Sequence, residues 1–165
     1  LRQRRRAGSM KKFCYLIALL ALFVPIKANA ASCYSAAEFE AEQGLRIHSE
    51  LMVIGLTCLK MPGGHALYGK YQSFTSRHQR LITGYEDTLI SYFQRNGAPN
   101  AEGQFHTLRT GLANQISKHA IGNVVGFCQA FAPRLDQALA MDQTKLKRWA
   151  QQVWPQSPTS RPVCR

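Results

Sequence analysis

The sequence predicts an all-α fold, an up-down-up-down helical bundle of three long helices and a short fourth that is stapled by two disulfides. Apolar residues recur every three or four positions over most of the chain, and turn-forming residues separate these stretches. No window alternates polar and apolar residues in the manner of a β-strand. The stretch after the leader also carries an even number of cysteines, which supplies the two disulfides.

The first 30 residues are predicted to be a leader with a secretory signal peptide. An apolar run at 13–26 follows two lysines, and the sequence ANA at 28–30 has the small-x-small pattern of a cleavage site. The run is shorter than the ~20 residues that a membrane-spanning helix needs. We therefore expect translation to begin at Met10, cleavage after Ala30, and a periplasmic or secreted protein without stable membrane insertion.

The leader also accounts for much of the positive charge. It holds seven of the 21 lysines and arginines and no acid, so its removal leaves 14 basic against nine acidic residues. That excess of positive charge is ordinary for an exported domain. The sequence after the leader lacks the dense basic stretch that is typical of nucleic-acid-binding proteins. No nucleic-acid partner is expected.

Residues 31–165 are expected to form one domain with an extended tail at 154–165. The first helix ends before the sequence MPGG at 61–64, and a second, continuous helix of seven turns ends at NGAP, 96–99. A third helix begins after the predicted N-cap Asn100. The apolar stripes of these helices are Ile47, Leu51, Ile54, Cys58 and Met61; Leu67, Tyr71, Phe74, His78, Leu81, Tyr85, Leu89 and Tyr92; and Phe105, Leu108, Leu112, Ile116, Ala120, Val124, Phe127 and Phe131.

The fourth helix is predicted in two pieces. Pro133 ends or kinks the third helix, a short segment follows, and the helix restarts at Asp142. Leu146, Trp149 and Val153 form the apolar stripe of the second piece. Three prolines after this stripe predict that the tail is extended.

The bundle order predicts how the cysteines pair. The first and third helices run in the same direction, so Cys58 and Cys128 lie at one end, while Cys33 and Cys164 lie at the other. In an oxidising compartment this arrangement predicts the disulfides Cys58–Cys128 and Cys33–Cys164. A lipid anchor on Cys33 is not expected, because Lys27 separates it from the apolar run.

Three histidines suggest an alternative in which the bundle carries a transition metal or haem. His48, His78 and His119 lie on three different predicted helices at similar heights, so their imidazoles could converge in the core. The sequence has neither the Glu-x-x-His motif of di-iron bundles nor a C-x-x-C-H haem attachment. Histidines on an apolar stripe are more commonly core residues hydrogen-bonded to a backbone or hydroxyl oxygen. The favoured interpretation is therefore a protein without a cofactor.

The candidate ligand-binding residues are His65, Lys70, Tyr71 and Trp149. The first two follow a Gly-Gly turn that opens the second helix, where free N–H groups can hold an anion. Tyr71 and Trp149 would line a groove between the fourth helix and the three long ones.

No hydrolase, metalloprotease or nucleotide-binding motif occurs in the sequence. We therefore expect a non-enzymatic binding or interaction module for a protein or small-molecule ligand. A hydrolase or transferase that uses scattered acids and histidines is the less favoured alternative.

Overall fold

The computed structural model describes residues 32–164. The predicted leader, its start at Met10 and its cleavage site after Ala30 lie outside these residues. The all-α class is confirmed, since the described part of the chain contains helices and one isolated parallel β-bridge between Tyr34 and Val163. The helices are α1 (Ala36–Thr57), α2 (Gly64–Arg77), α3 (Gln79–Arg95), α4 (Ala101–Ile121), α5 (Val124–Phe131), α6 (Pro133–Leu139) and α7 (Gln143–Ala150).

Helix α1 is the central element, because α2, α3, α4, α5 and α7 all pack against it. Every residue from 41 to 51 is buried, on all sides of the helix. The contact with α3 is close: a Cβ on Gly44 would lie 2.2 Å from Cε2 of Tyr85, so only glycine fits without a shift of that ring. A helix that is enclosed in this way buries its polar side chains together with its apolar ones.

Local sequence signals set the helix starts. Ser35 and Glu38 form a capping box at the start of α1, in which each side chain accepts a hydrogen bond from the other residue's backbone N–H. The predicted N-cap Asn100 accepts from the N–H of Gly103 at 2.8 Å. The predicted restart at Asp142 is also found, since its Oδ1 accepts from the N–H of Lys145 at 2.7 Å.

Two of the long helices predicted from the sequence are interrupted. The second is α2 followed by α3, because His78 leaves helical geometry with φ −106° and ψ 14°. The third is α4 followed by α5, with a break at Gly122 and Asn123, where the Asn123 side chain caps α5. The prediction of continuous helices was wrong because the apolar spacing continues across both breaks.

Both disulfides have the predicted partners. Cys33 and Cys164 are joined with a Cα–Cα distance of 5.0 Å, and Cys58 and Cys128 with a distance of 5.7 Å. Hydrogen bonds accompany the first disulfide, since the Tyr34 N–H donates to the Pro162 carbonyl at 2.7 Å and the Cys164 N–H donates to the Tyr34 carbonyl at 2.8 Å. The described part of the C-terminal tail is non-helical and is bound to the segment before α1.

Replacement of both Cys33 and Cys164 by serine is expected to lower the free energy of unfolding by about 4–5 kcal/mol, because a long closed loop opens in the unfolded chain. Amide hydrogen exchange should accelerate at Tyr34 and at position 164, whereas the amides of α5 should keep their protection.

The matched control is the serine replacement of Cys58 and Cys128, which should accelerate exchange at the end of α1 and in α5. The same exchange pattern in both double variants would contradict the view that each disulfide holds its own end of the domain.

Candidate functional site

A buried polar network links α1 to the tail and to α4. Glu42 is fully buried and accepts hydrogen bonds from the N–H of Ser160 at 2.8 Å and from its Oγ at 2.5 Å.

Arg46 Nη2 lies 3.5 Å from Glu42 Oε1. The Arg46 guanidinium also donates to Gln43 Oε1, Gln115 Oε1 and the carbonyl of Pro158. This extensive set of partners marks the network as structural, since buried charges are tolerated where they are paired and hydrogen-bonded.

A second buried acid on α1 has its own partner. Glu50 is buried, and Nη1 of Arg134 lies 2.6 Å from each of its carboxylate oxygens. The same guanidinium stands 5.4 Å from the centre of the Phe131 ring, a cation–π contact. The polar groups of the α1 interior are therefore engaged by the protein itself.

The three histidines proposed as metal ligands have separate environments. His48 is buried with Nε2 3.2 Å from Thr75 Oγ1, whereas His78 is buried at the break between α2 and α3. His119 is exposed in the last turn of α4. Among residues 32–164 there is no group of three His, Cys, Asp or Glu side chains that could hold a metal ion. Similar heights along the helices do not fix the direction around each helix axis, and on α4 this direction turns His119 outward.

Burial controls the protonation of two of these histidines. Loss of hydration lowers the pKa of His48 to about 4, with a further contribution from the positive charge of Arg109. Burial also lowers the pKa of His78, and the neighbouring Arg77 acts in the same direction. Both imidazoles are therefore neutral near pH 7.

The four residues proposed for ligand binding contact different elements. Lys70 pairs with Asp136 of α6 at 2.6 Å, and the Tyr71 ring packs 5.6 Å from that of His48 on α1. Trp149 is half-buried with its ring 6.3 Å from that of Trp154, and His65 is exposed in the first turn of α2. Their described contacts are those of packing and ion pairing, and no shared groove emerges from them.

A cleft of about 560 Å³ lies at the junction of α2 and α3. Arg77, His78 and Arg80 line it from this junction, and Asp142 and Gln143 line it from the start of α7. Nε2 of His78 has no hydrogen-bond partner in the part of the chain that the structure describes. That atom is closed off from solvent, however, so a ligand in the cleft cannot reach it without movement of its surroundings.

Charges are segregated along the chain. The segments 51–85 and 103–135 contain seven lysines and arginines and no acid, so all nine acids lie elsewhere. Three of these bases form ion pairs with acids outside the two segments: Lys70 with Asp136, Arg109 with Glu86, and Arg134 with Glu50. Lys60 and Lys118 are exposed and have no ion pair within residues 32–164.

Exposed aliphatic side chains lie in the same region. Ile121, at the end of α4, is 79% exposed, and Val124 and Val125, in the first turn of α5, are 41% and 49% exposed. The Cys58–Cys128 disulfide holds α5 against the end of α1, which carries the exposed Leu56. We define the apolar–basic end of the domain as Leu56, Lys60, Lys118, Ile121, Val124 and Val125.

Sequence reasoning placed two of the exposed valines in the core. Val124 was assigned to the stripe of the third helix, and Val153 to that of the fourth, where it is 76% exposed. The break at Gly122 and Asn123 turns Val124 out of the stripe, and Val153 lies beyond the end of α7. The absence of acids from segments 51–85 and 103–135, in contrast, can be read from the sequence alone and indicates the basic character of this end.

Comparison with protein-family models, curated protein sequences and solved structures gives no match to this chain. None of the helices between residues 32 and 164 combines the length and the hydropathy needed to cross a membrane.

The depressed pKa of His48 predicts a pH dependence of stability. The unfolded chain binds a proton near pH 6.5 that the folded protein accepts only near pH 4, so the free energy of unfolding should decrease as the pH falls through this window. The full effect is up to about 3 kcal/mol. Urea unfolding of a His48→Gln variant, which keeps a polar group for Thr75, should show a flatter profile, with part of the remaining slope due to His78.

The matched control for His48→Gln is His119→Gln, which removes an imidazole from an exposed position of α4. A His48→Gln profile as steep as that of the control would contradict the assignment of the slope to the buried imidazole.

Glu42→Ala is expected to lower the free energy of unfolding by about 3–5 kcal/mol, because it leaves the Arg46 charge buried without its carboxylate. Glu86→Ala removes the carboxylate from a half-exposed pair with Arg109 and should cost about 1 kcal/mol or less. Urea titration of both variants measures the difference. Equal losses of unfolding free energy in the two variants would show that burial of the Glu42–Arg46 pair does not increase its contribution to stability.

Proposed function

We propose that the chain is an exported, disulfide-bonded helical protein that acts by binding, without catalysis, and that the apolar–basic end is its binding face. The observation that carries this proposal is the coincidence of exposed aliphatic side chains with lysines that have no ion pair among residues 32–164, in two chain segments without acids. Exposed apolar side chains that lie close together, as Ile121, Val124 and Val125 do along the chain, are a feature of interaction sites.

The surroundings of this end support its use as a rigid platform. The Cys58–Cys128 disulfide lies beside it, and both cysteines are buried. A surface that is already ordered loses little conformational entropy when it binds, which favours affinity. Four acids border the two acid-free segments, and Glu50, Glu86 and Asp136 are each paired with a base. The fourth, Glu102, lies in the first turn of α4, at the opposite end of that helix from Lys118 and Ile121.

Two features support export. The leader has the three parts of a secretory signal peptide, and the two disulfides agree with an oxidising compartment such as the periplasm or the cell exterior. The domain then begins close to Cys33, which the disulfide joins to Cys164.

We further infer that the helices follow the up-down-up-down order. In this order α1 is the first leg of the bundle, and α2–α3, α4–α5 and α6–α7 are the second, third and fourth legs. An antiparallel second leg is supported by its contacts with α1, because the residue numbers rise along α1 while those of the contacted residues in α2–α3 fall. Moving towards the end of α1, these contacts are Glu38 with Arg95, Gly44 with Tyr85, His48 with Thr75, and Gly55 with Tyr71. The pairs of Glu50 with Arg134 and Glu40 with Lys147 support a last leg that descends in the same way.

The binding face can be mapped before its partner is known. A photo-crosslinking amino acid is placed at Val125 in the chain expressed with its own leader in a bacterial host, and adducts of any class, protein or lipid, are detected by mass spectrometry. We expect adducts from position 125, because its exposed side chain lies at the proposed face.

The control position is Val153, which is exposed but lies beyond α7, away from the apolar–basic end. Adduct yields that are equal at the two positions, or absent from both, would contradict the proposed face. The N-terminus of the exported protein is checked in the same mass spectra and should be Ala31.

A further inference from the structure

We infer that the partner of the apolar–basic end is a lipid surface with anionic headgroups, which the domain binds peripherally. This inference rests on the binding face proposed above and names the chemistry that the face recognises. Three features carry it: the position of the aliphatic residues at a helix junction, the nearby lysines, and the lack of acids in the two chain segments that contain them.

The aliphatic residues are placed for shallow insertion. Ile121 is the last residue of α4, and Val124 and Val125 open α5 after a break of only two residues. All three side chains are exposed, and they lie on the two sides of this helix junction. Apolar side chains of this size can enter the boundary between headgroups and acyl chains, which lies about 5–10 Å deep for peripheral helices.

Part of the polar backbone at this turn is hydrogen-bonded within the protein. The Asn123 side chain already accepts a hydrogen bond from the Gly126 N–H at 2.8 Å, and the Asn123 carbonyl accepts from the Phe127 N–H at 2.9 Å. Groups that are hydrogen-bonded within the protein lose less on transfer away from water than free ones. The Gly126 and Phe127 N–H groups therefore keep their partners within the protein when the turn approaches the lipid.

Two lysines flank the apolar residues. Lys118 lies three positions before Ile121 on α4, so the two side chains occupy neighbouring positions on the helix surface. Lys60 follows the disulfide-bonded Cys58 at the same end. Each exposed lysine near an anionic surface strengthens adsorption, and no acid within 51–85 or 103–135 opposes this attraction.

The composition of the face favours lipid over a protein partner. Stable protein interfaces are enriched in aromatic and arginine anchors that fill shaped pockets. The face defined here contains aliphatic residues and lysines, and the cleft lined by Arg77 and Arg80 lies at the α2–α3 junction instead. A flat or convex surface of acyl chains and phosphate groups needs no such anchors.

The test uses the oxidised protein recovered from the exported fraction and sedimented with large vesicles. The probes are vesicles of phosphatidylcholine alone and of phosphatidylcholine mixed with phosphatidylglycerol. We expect binding to the mixed vesicles, weaker binding to the neutral ones, and a decrease as salt is added, because the lysine contribution is screened.

Variants at the face separate the apolar and the electrostatic contributions. Val125→Asp should abolish binding, since it places a negative charge at the inserted turn. It should also leave the fold intact, because an acid in the first turn of α5 suits the helix dipole. Lys118→Gln and Lys60→Gln should each weaken binding to the mixed vesicles by about fivefold.

The matched controls are Val153→Asp and Lys145→Gln, which make the same changes at exposed positions beyond and within α7. Circular dichroism confirms that each variant is folded. Binding that is unchanged in the face variants, or that falls equally in the controls, overturns the inference.

The outcomes also separate this inference from the proposed binding face. Absence of vesicle binding together with protein adducts from position 125 overturns the lipid inference and leaves the face in place, with a protein as its partner. Absence of both vesicle binding and adducts overturns the two together.

Discussion

The enclosure of α1 by the other helices is the constraint on which the rest of the structure depends. A helix with neighbours on every side cannot send its charged residues to solvent, so Glu42, Arg46 and Glu50 are buried and need partners inside the protein. Unpaired charges in a core are far more costly than unpaired charges at a surface. Through Glu42, Arg46 and Glu50 the positions of the tail, α4 and α6 are therefore tied to polar groups on the central helix.

The C-terminal tail shows how far this dependence extends. Ser160 and Pro158 lie in a segment without helix or strand, yet they supply hydrogen bonds to Glu42 and Arg46 of the α1 interior. The Cys33–Cys164 disulfide and the bonds around Tyr34 hold this segment in place. The tail is thus part of the core. With the interior engaged in holding the fold together, the surface remains as the place where a binding function can lie.

The sequence was sufficient for features that depend on local chemistry or on overall topology. The N-caps Asn100 and Asp142 and both disulfide pairings were predicted, because capping uses neighbouring residues and the cysteines lie at helix ends. It was insufficient for the break at His78, since a single non-helical residue leaves the apolar spacing nearly unchanged. The burial of Glu42 and Arg46 was also missed, because charged residues are usually exposed and their partners are distant in sequence.

The exposure of the apolar–basic end follows from the second helix break. In an uninterrupted helix, Val124 would continue the stripe of Ile116 and Ala120 and would pack inward. The break at Gly122 and Asn123 turns Val124 and Val125 to the surface, while Phe127 and Cys128 return to the core. The Cys58–Cys128 disulfide and the Asn123 cap maintain this arrangement. Exposed aliphatic residues lower solubility, and their retention beside two stabilising interactions supports the proposal that this end of the domain binds a partner.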